Sequence, residues 1–254
     1  MTQCFPGGAE RRRSAFALPL LVAAMNLLFT ISSRTETTNA LADAETEGRN
    51  LVHQLLEQRP AENLSTTGVL KFKDTHGKRL EIPVFFATVV SETNWTSRYE
   101  AGTNWVTITH TQNQANEYHS HDANGGDVIL SGNETMVSFA GSDFWLADLG
   151  LEFFHWPQQK VLKREVRSSR GCAVLESVNP NPTTNAYARV LSWIDSEGGA
   201  IIQAEAYDAN GKLLKKFYPK KVKKVDGQYQ LESMEMDNPQ TDSRTWLKFD
   251  LNTK

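Results

Sequence analysis

Three groups of residues in this 254-residue sequence have the types and spacing for chemistry. In YHSHDANGGD (Tyr118 to Asp127), His119 and His121 share one face of an extended strand, and His110 can approach from the strand before. Three imidazoles on neighbouring strands would suit zinc with an open fourth position, and hence a zinc-dependent hydrolase. The competing reading is a polar hairpin end with solvated histidines and no metal. Asp143, Asp148 and Glu152 stand five and four residues apart. Two carboxylates held at a fixed separation across a sugar hydrolyse glycosides, but nothing in the linear order makes these converge. Asp143, just before Phe144, reads more simply as the N-cap of a short helix. Cys172 precedes an apolar run and reads as a small buried residue. Neither a Gly-x-Ser-x-Gly elbow nor a P-loop or dinucleotide fingerprint occurs, so the expectation is a protein without catalytic residues or cofactor.

The three carboxylates lie in FAGSDFWLADLGLEFFHWPQQK (Phe139 to Lys160), which puts four Phe and two Trp into 22 residues of a chain that is 9% aromatic. Phe144, Trp145 and Leu149 follow an i, i+1, i+5 spacing that predicts a helical turn laid across a sheet. Phe153, Phe154, His155 and Trp156 then lead into a strand around Lys160 to Ser168. Such a segment is either a core plug or the aromatic wall of an apolar ligand cavity. A cavity of that kind needs no polar anchor. Each buried methylene contributes roughly 0.8 kcal/mol, so a twelve-carbon chain could gain on the order of 10 kcal/mol before ordering costs.

Arg11, Arg12 and Arg13 precede an apolar run from Ala15 to Ile31, and Ala40-Leu41-Ala42 supplies a small-x-small site. This layout predicts a signal peptide over residues 1–42, cleaved before Asp43, and a soluble exported domain over 43–254. Taking the leader's four Arg and two Glu from 27 basic and 30 acidic residues leaves 23 against 28. That negative balance, with no basic block, argues against a nucleic-acid partner. Only Cys172 remains after cleavage, so neither a disulfide nor a Cys-based metal site is expected. The run KKFYPKKVKK (Lys215 to Lys224) holds six lysines and reads as the wet face of an edge hairpin. Its alternative role is a surface for anionic headgroups.

The elements that must position these residues are mostly strands. One amphipathic helix is expected in ETEGRNLVHQLLEQRP, with Leu51, Val52, Leu55 and Leu56 as its stripe, Glu45 and Arg49 as an i, i+4 pair, and Pro60 as its stop. Beyond it, turns expected at His76-Gly77, Ala101-Gly102, Asn124-Gly125-Gly126, Gly132-Asn133, Arg170-Gly171, Asn210-Gly211 and Asp226-Gly227 separate strand-like runs such as Val69 to Asp74, Trp105 to His110, Tyr187 to Ile194, Ala200 to Asp208 and Thr245 to Leu251. The last five strands read as a meander. In YQLESMEM the apolar phase slips between Leu231 and Met234, which predicts a β-bulge near Glu232-Ser233. EIPVFFATVV (Glu81 to Val90) is apolar on both faces and calls for two apolar partners, the N-terminal helix and a hydrophobic interior.

The order of these motifs is a leader, a short helix ending in Arg59-Pro60, the twin-apolar strand and Gly141-Ser142-Asp143-Phe144 leading to Asp148-Leu149. Trp193-Ile194-Asp195, the Tyr207 to Lys212 hairpin and Met234-Glu235-Met236 follow. In this the chain resembles the outer-membrane lipoprotein-sorting protein-like family of bacterial envelopes, with the LolA/LolB-type fold. The resemblance implies a mainly β, half-open antiparallel barrel, a curved sheet covered by short α-helices around an apolar concave interior. It also implies a periplasmic, non-enzymatic carrier of lipid or lipoprotein acyl chains, with partners in the inner- or outer-membrane lipoprotein machinery. An envelope sensor or interaction module without lipid cargo stands as the alternative. The residues expected to line the cavity are Phe85, Phe86, Phe144, Trp145, Leu149, Phe153, Phe154 and Trp193.

Overall fold

The computed structural model describes residues 36–73, 77–122, 125–225 and 228–251. Most of the expected leader, residues 1–35, lies outside them, as do parts of the turns at His76-Gly77, Asn124-Gly125 and Asp226-Gly227. No helix among the described residues is long and apolar enough to cross a membrane.

Helix α1 (Glu36–Leu56) starts upstream of Asp43, earlier than its apolar stripe alone indicates. Six strands follow in one meander: β1 (Leu64–Lys73), β2 (Arg79–Val90), β3 (Asn94–Ala101), β4 (Asn104–Thr111), β5 (Glu117–Asp122) and β6 (Gly126–Leu130). After a connector of short helical turns, seven more complete the fold: β7 (Gln158–Arg167), β8 (Arg170–Val178), β9 (Arg189–Asp195), β10 (Ile201–Tyr207), β11 (Leu213–Val225), β12 (Gln228–Asn238) and β13 (Ser243–Phe249). Strand β1 pairs antiparallel with β13, which fuses the two meanders into one 13-stranded sheet of order β6-β5-β4-β3-β2-β1-β13-β12-β11-β10-β9-β8-β7. The fold is thus the curved, unclosed antiparallel sheet that was expected. Its two free edges, β6 and β7, are neighbours in sequence, so the connector between them runs from one edge of the sheet to the other.

Curvature comes from interruptions of the ladder. Register shifts occur in β7–β8, β9–β10, β10–β11 and twice in β11–β12. Lys221 pairs with Ser233 and Val222 with Leu231, so Glu232 is the extra residue foretold by the phase slip. The concave face carries two apolar clusters. One joins β1–β5 to β12–β13 around Leu70, Val106, Ile108 and Leu247; the other joins β7–β10 to α1 around Leu175, Val190, Ile194 and Val52.

Four placements correct the sequence reading. The helix does not cover β2. Its stripe packs on the second cluster, and it crosses the edge strand β7, where an added Cβ at Gly48 would sit 2.5 Å from the backbone nitrogen of Lys160. An ion pair from Glu47 to Arg164 lies along the same crossing, and α1 thereby shields an edge that would otherwise offer unpaired backbone groups. Strand β2 has one buried face: Val84 points inward, while Phe85 and Val89 are 38% and 54% exposed on the other side. The turn expected at Arg170-Gly171 falls instead on Ser168 and Ser169, both with positive φ, and Gly132-Asn133 opens a short helical turn.

Gly48→Ala should therefore push α1 off β7. Overpacking against backbone costs about 1–3 kcal/mol, so the melting temperature should fall by about 5 °C. An unchanged melt would mean that the helix has room to shift.

Candidate functional site

The connector, residues 131–157, holds the aromatic segment, and its three carboxylates pin it to three parts of the sheet. Asp143 accepts hydrogen bonds from Ser243 (2.6 Å), Thr245 (2.8 Å) and Asn238 (3.2 Å), which ties it to β12–β13. Asp148 closes the one-turn helix α2 (Leu146–Leu149) by accepting from the Trp145 backbone N–H at 2.8 Å. It, rather than Asp143, caps that turn. Asp148 also accepts from Tyr187 Oη at 3.1 Å and faces Lys215 Nζ at 3.8 Å. Glu152 accepts from Tyr118 Oη of β5 at 3.0 Å. Each carboxylate thus accepts from its own set of donors.

Lys215 is the centre of the arrangement. It is 3% exposed on the concave face, in phase with Phe217. Its ammonium donates to the Asp143 carbonyl at 2.5 Å and lies 3.6 Å from the Trp145 ring centroid. Trp145 in turn stacks on Tyr187 at 4.4 Å. Burial pulls the Lys215 pKa down to about 8, with Asp148 and Asp143 opposing, and the same burial raises that of Asp148. A void of about 20 Å³ beside Lys215, Asp148, Tyr187 and Phe153 has room for a water molecule but no cargo. Three other lysines of the run face carboxylates on neighbouring strands: Lys216 meets Glu205, Lys220 meets Glu235 and Lys221 meets Glu232, while Lys223 donates to the Leu251 carbonyl. Much of the basic hairpin is therefore neutralised within the sheet.

A second polar chain crosses near the mouth of the sheet. Asn116 donates to the Gly150 carbonyl at 2.8 Å and its Oδ1 lies 2.8 Å from His110 Nδ1. Gly150 must be glycine, because a Cβ there would meet Tyr118 Oη at 2.1 Å. Beside this chain opens a cavity of about 380 Å³. Its walls come from Leu55 and Leu56 of α1, Trp95 and His110 of β3–β4, Leu149, Leu151 and Phe154 of the connector, and Ile201. That volume lies within the range of small-molecule sites.

Of the eight residues expected to line a cavity, six reach the concave side. Phe86 and Phe144 lie in the first cluster and Trp145, Phe153 and Phe154 in the second, while Leu149 lies against the first. Among these six, only Leu149 and Phe154 border the large cavity. Phe85 and Trp193 point to the convex face, where Trp193 is covered by Arg167 and donates to Glu165. The three histidines do not converge. His110 faces inward, whereas His119 and His121 pack against Trp105 on the outside. Leu55, Trp95, Asn116 and Lys215 were missed. For Lys215 a signal existed in its two-residue phase with Phe217.

A family model whose description reads "-like: Uncharacterized protein" matches residues 96–252. No curated protein matches the sequence. Among solved structures, an outer membrane lipoprotein-sorting protein domain from Vibrio parahaemolyticus superposes with a TM-score of 0.68 at 17% identity, covering 82% of this chain and 92% of its own. A DUF1329 family protein from Desulfovibrio piger gives 0.66 at 17% identity, covering 82% of this chain and 91% of its own. A LolA superfamily protein from Nitrosomonas europaea gives 0.57 at 13% identity, covering 80% and 91%.

Two measurements test these networks. Lys215→Met leaves Asp148 buried without its cation and should cost about 3–5 kcal/mol in urea unfolding. Adding Asp148→Asn, which keeps an acceptor for Trp145 and Tyr187, should recover part of that loss. Additive losses would show that the two groups do not interact. The second concerns pH. Burial lifts Glu152 to about 7 and drops His110 to about 4, and burial also lowers His155. A raised carboxyl loses its stability contribution as pH climbs from its unfolded value to about 7; a depressed imidazole regains stability from about 4 to its unfolded value. The Glu152 and His110 contributions nearly cancel in the native protein. Glu152→Gln should unmask the histidines, with unfolding free energy rising by on the order of 2–3 kcal/mol between about pH 4 and 6.5. A flat profile in the variant would refute this assignment.

Proposed function

We propose a function from one premise: the chain belongs to the outer-membrane lipoprotein-sorting protein-like family, with the LolA/LolB-type fold. It binds the acyl chain of a lipid or lipoprotein reversibly, without catalysis, as an exported protein of the periplasm. The observation that carries this reading is the cavity of about 380 Å³ at the mouth of the curved sheet, walled by Leu55, Leu56, Leu149, Phe154 and Ile201. Apolar walls of this kind hold methylenes with no directional bond, at roughly 0.8 kcal/mol for each one buried. The volume suits one chain rather than a bulky multi-chain anchor. A lipoprotein cargo would therefore insert one chain and leave the rest outside.

A second reading draws on the other half of the interior. Phe144, Phe153 and Lys215 fill the centre of the concave face, and the void there holds no more than a water molecule. A filled scaffold of that kind suits an envelope sensor or interaction module.

Uptake of a fluorescent twelve-carbon fatty-acid probe separates the two. The native protein should bind the probe with saturable stoichiometry. Leu55→Arg sets an unpaired charge in the apolar wall and should weaken binding at least about tenfold. Trp246→Ala on the convex face should leave it unchanged. A folded native protein that takes up no probe would leave the interaction module as the better account.

A further inference from the structure

The polar side of the mouth cavity carries information about the ligand's head, given the reading that the cavity takes an acyl chain. Asn116 is almost fully buried, and its amide orientation is set by donation to the Gly150 carbonyl at 2.8 Å. Its Oδ1 must then face His110 Nδ1 at 2.8 Å, so Nδ1 carries the proton of the neutral ring. Nε2 is left as a lone-pair acceptor on an imidazole that lines the cavity and is stacked on Trp95 at 4.9 Å. Burial keeps that ring and His155 neutral at pH 7. Every other described side chain on the cavity wall is apolar or a neutral hydrogen-bonding group, among them Gln58, Ser97 and Gln112.

We propose that the cavity selects single-chain amphiphiles with an uncharged, hydrogen-bond-donating head, a hydroxyl or an amide N–H given to His110 Nε2. A carboxylate or phosphate placed there would exchange its hydration for a neutral acceptor and apolar carbon, a penalty that no described cation on the wall offsets. Monoacylglycerols and fatty amides fit this class, as does the amide of an N-acylated peptide terminus. Free fatty-acid anions and lysophospholipids do not.

Calorimetric titration of the full chain at pH 7.5 with three ligands of equal chain length, all below their micelle concentrations, tests the assignment. Monolauroylglycerol should bind at least about tenfold more tightly than laurate or lauroyl-lysophosphatidylglycerol. This ranking is read on the unmodified protein and needs no variant to fold. His110→Phe keeps a ring against Trp95 while removing the acceptor, and should collapse the preference to within about twofold while chain binding persists. Laurate or the lysophospholipid binding as tightly as monolauroylglycerol would overturn the head-group assignment and leave acyl-chain binding standing. An unchanged ranking in a folded His110→Phe protein would overturn the role of His110. Failure of all three ligands to bind would remove acyl-chain binding itself, and the head-group assignment with it.

Discussion

A lysine side chain with 3% of its surface exposed is tolerable only where its ammonium finds partners, because an unpaired cation in apolar surroundings loses its hydration without return. Lys215 finds its nearest partners on the connector: the Asp143 carbonyl, the Asp148 carboxylate and the face of Trp145. Strand β11 and the connector are thereby locked together at the centre of the concave face. The lock has to lie there. The sheet's free edges are consecutive in sequence, so the connector crosses the whole opening, and without a central anchor it would hang across the mouth as a long loop. Asp143 and Glu152 extend the same restraint toward β12–β13 and β5.

That anchoring divides the interior. Where Lys215, Trp145, Tyr187 and Phe153 pack, the space between sheet and connector is filled, and the rings expected to touch cargo serve as core. Toward α1 the connector passes through the short helical turn Glu152–His155, and Leu149, Leu151 and Phe154 face an open space there. The mouth cavity is the remainder. Just past α1, Arg59 donates to the Glu92 and Asn94 carbonyls of the β2–β3 turn. The end of α1 is therefore fixed to the first meander while its stripe packs on the second.

Much of this architecture was legible in the sequence because strands advertise themselves by alternation. The meander from β9 to β13, the bulge at Glu232 and the short turn at Leu146–Leu149 followed from apolar phase alone. What alternation cannot supply is the identity of the inner face. Strand β2 is apolar on both phases, so Phe85 was indistinguishable from Phe86. The histidines needed register as well: His121 pairs with Trp105 and His119 with Thr107, an odd offset from His110 that turns it to the opposite face. Lys215 was hidden by composition, as one of six lysines whose companions do face water. The seat of α1 depends on the absence of a side chain at Gly48, which a periodicity argument does not register.

The connector is also a shared wall, and this joins the two halves of the molecule. An occupant of the mouth would touch Leu149, Leu151 and Phe154 on one side and Leu55 on the other. The Gly150 carbonyl that orients Asn116 sits on the same turn, two residues from the Asp148 that faces Lys215. Any displacement of the connector therefore changes the position of the acceptor that sets the His110 tautomer, along with the apolar wall beside it. Conversely, a ligand bridging connector and helix adds its binding free energy to the folded arrangement alone, since the unfolded chain has no such mouth. The buried ion pair and the cavity are thus linked through one short segment of backbone, and the precision of the polar site follows from the rigidity of the filled core beside it.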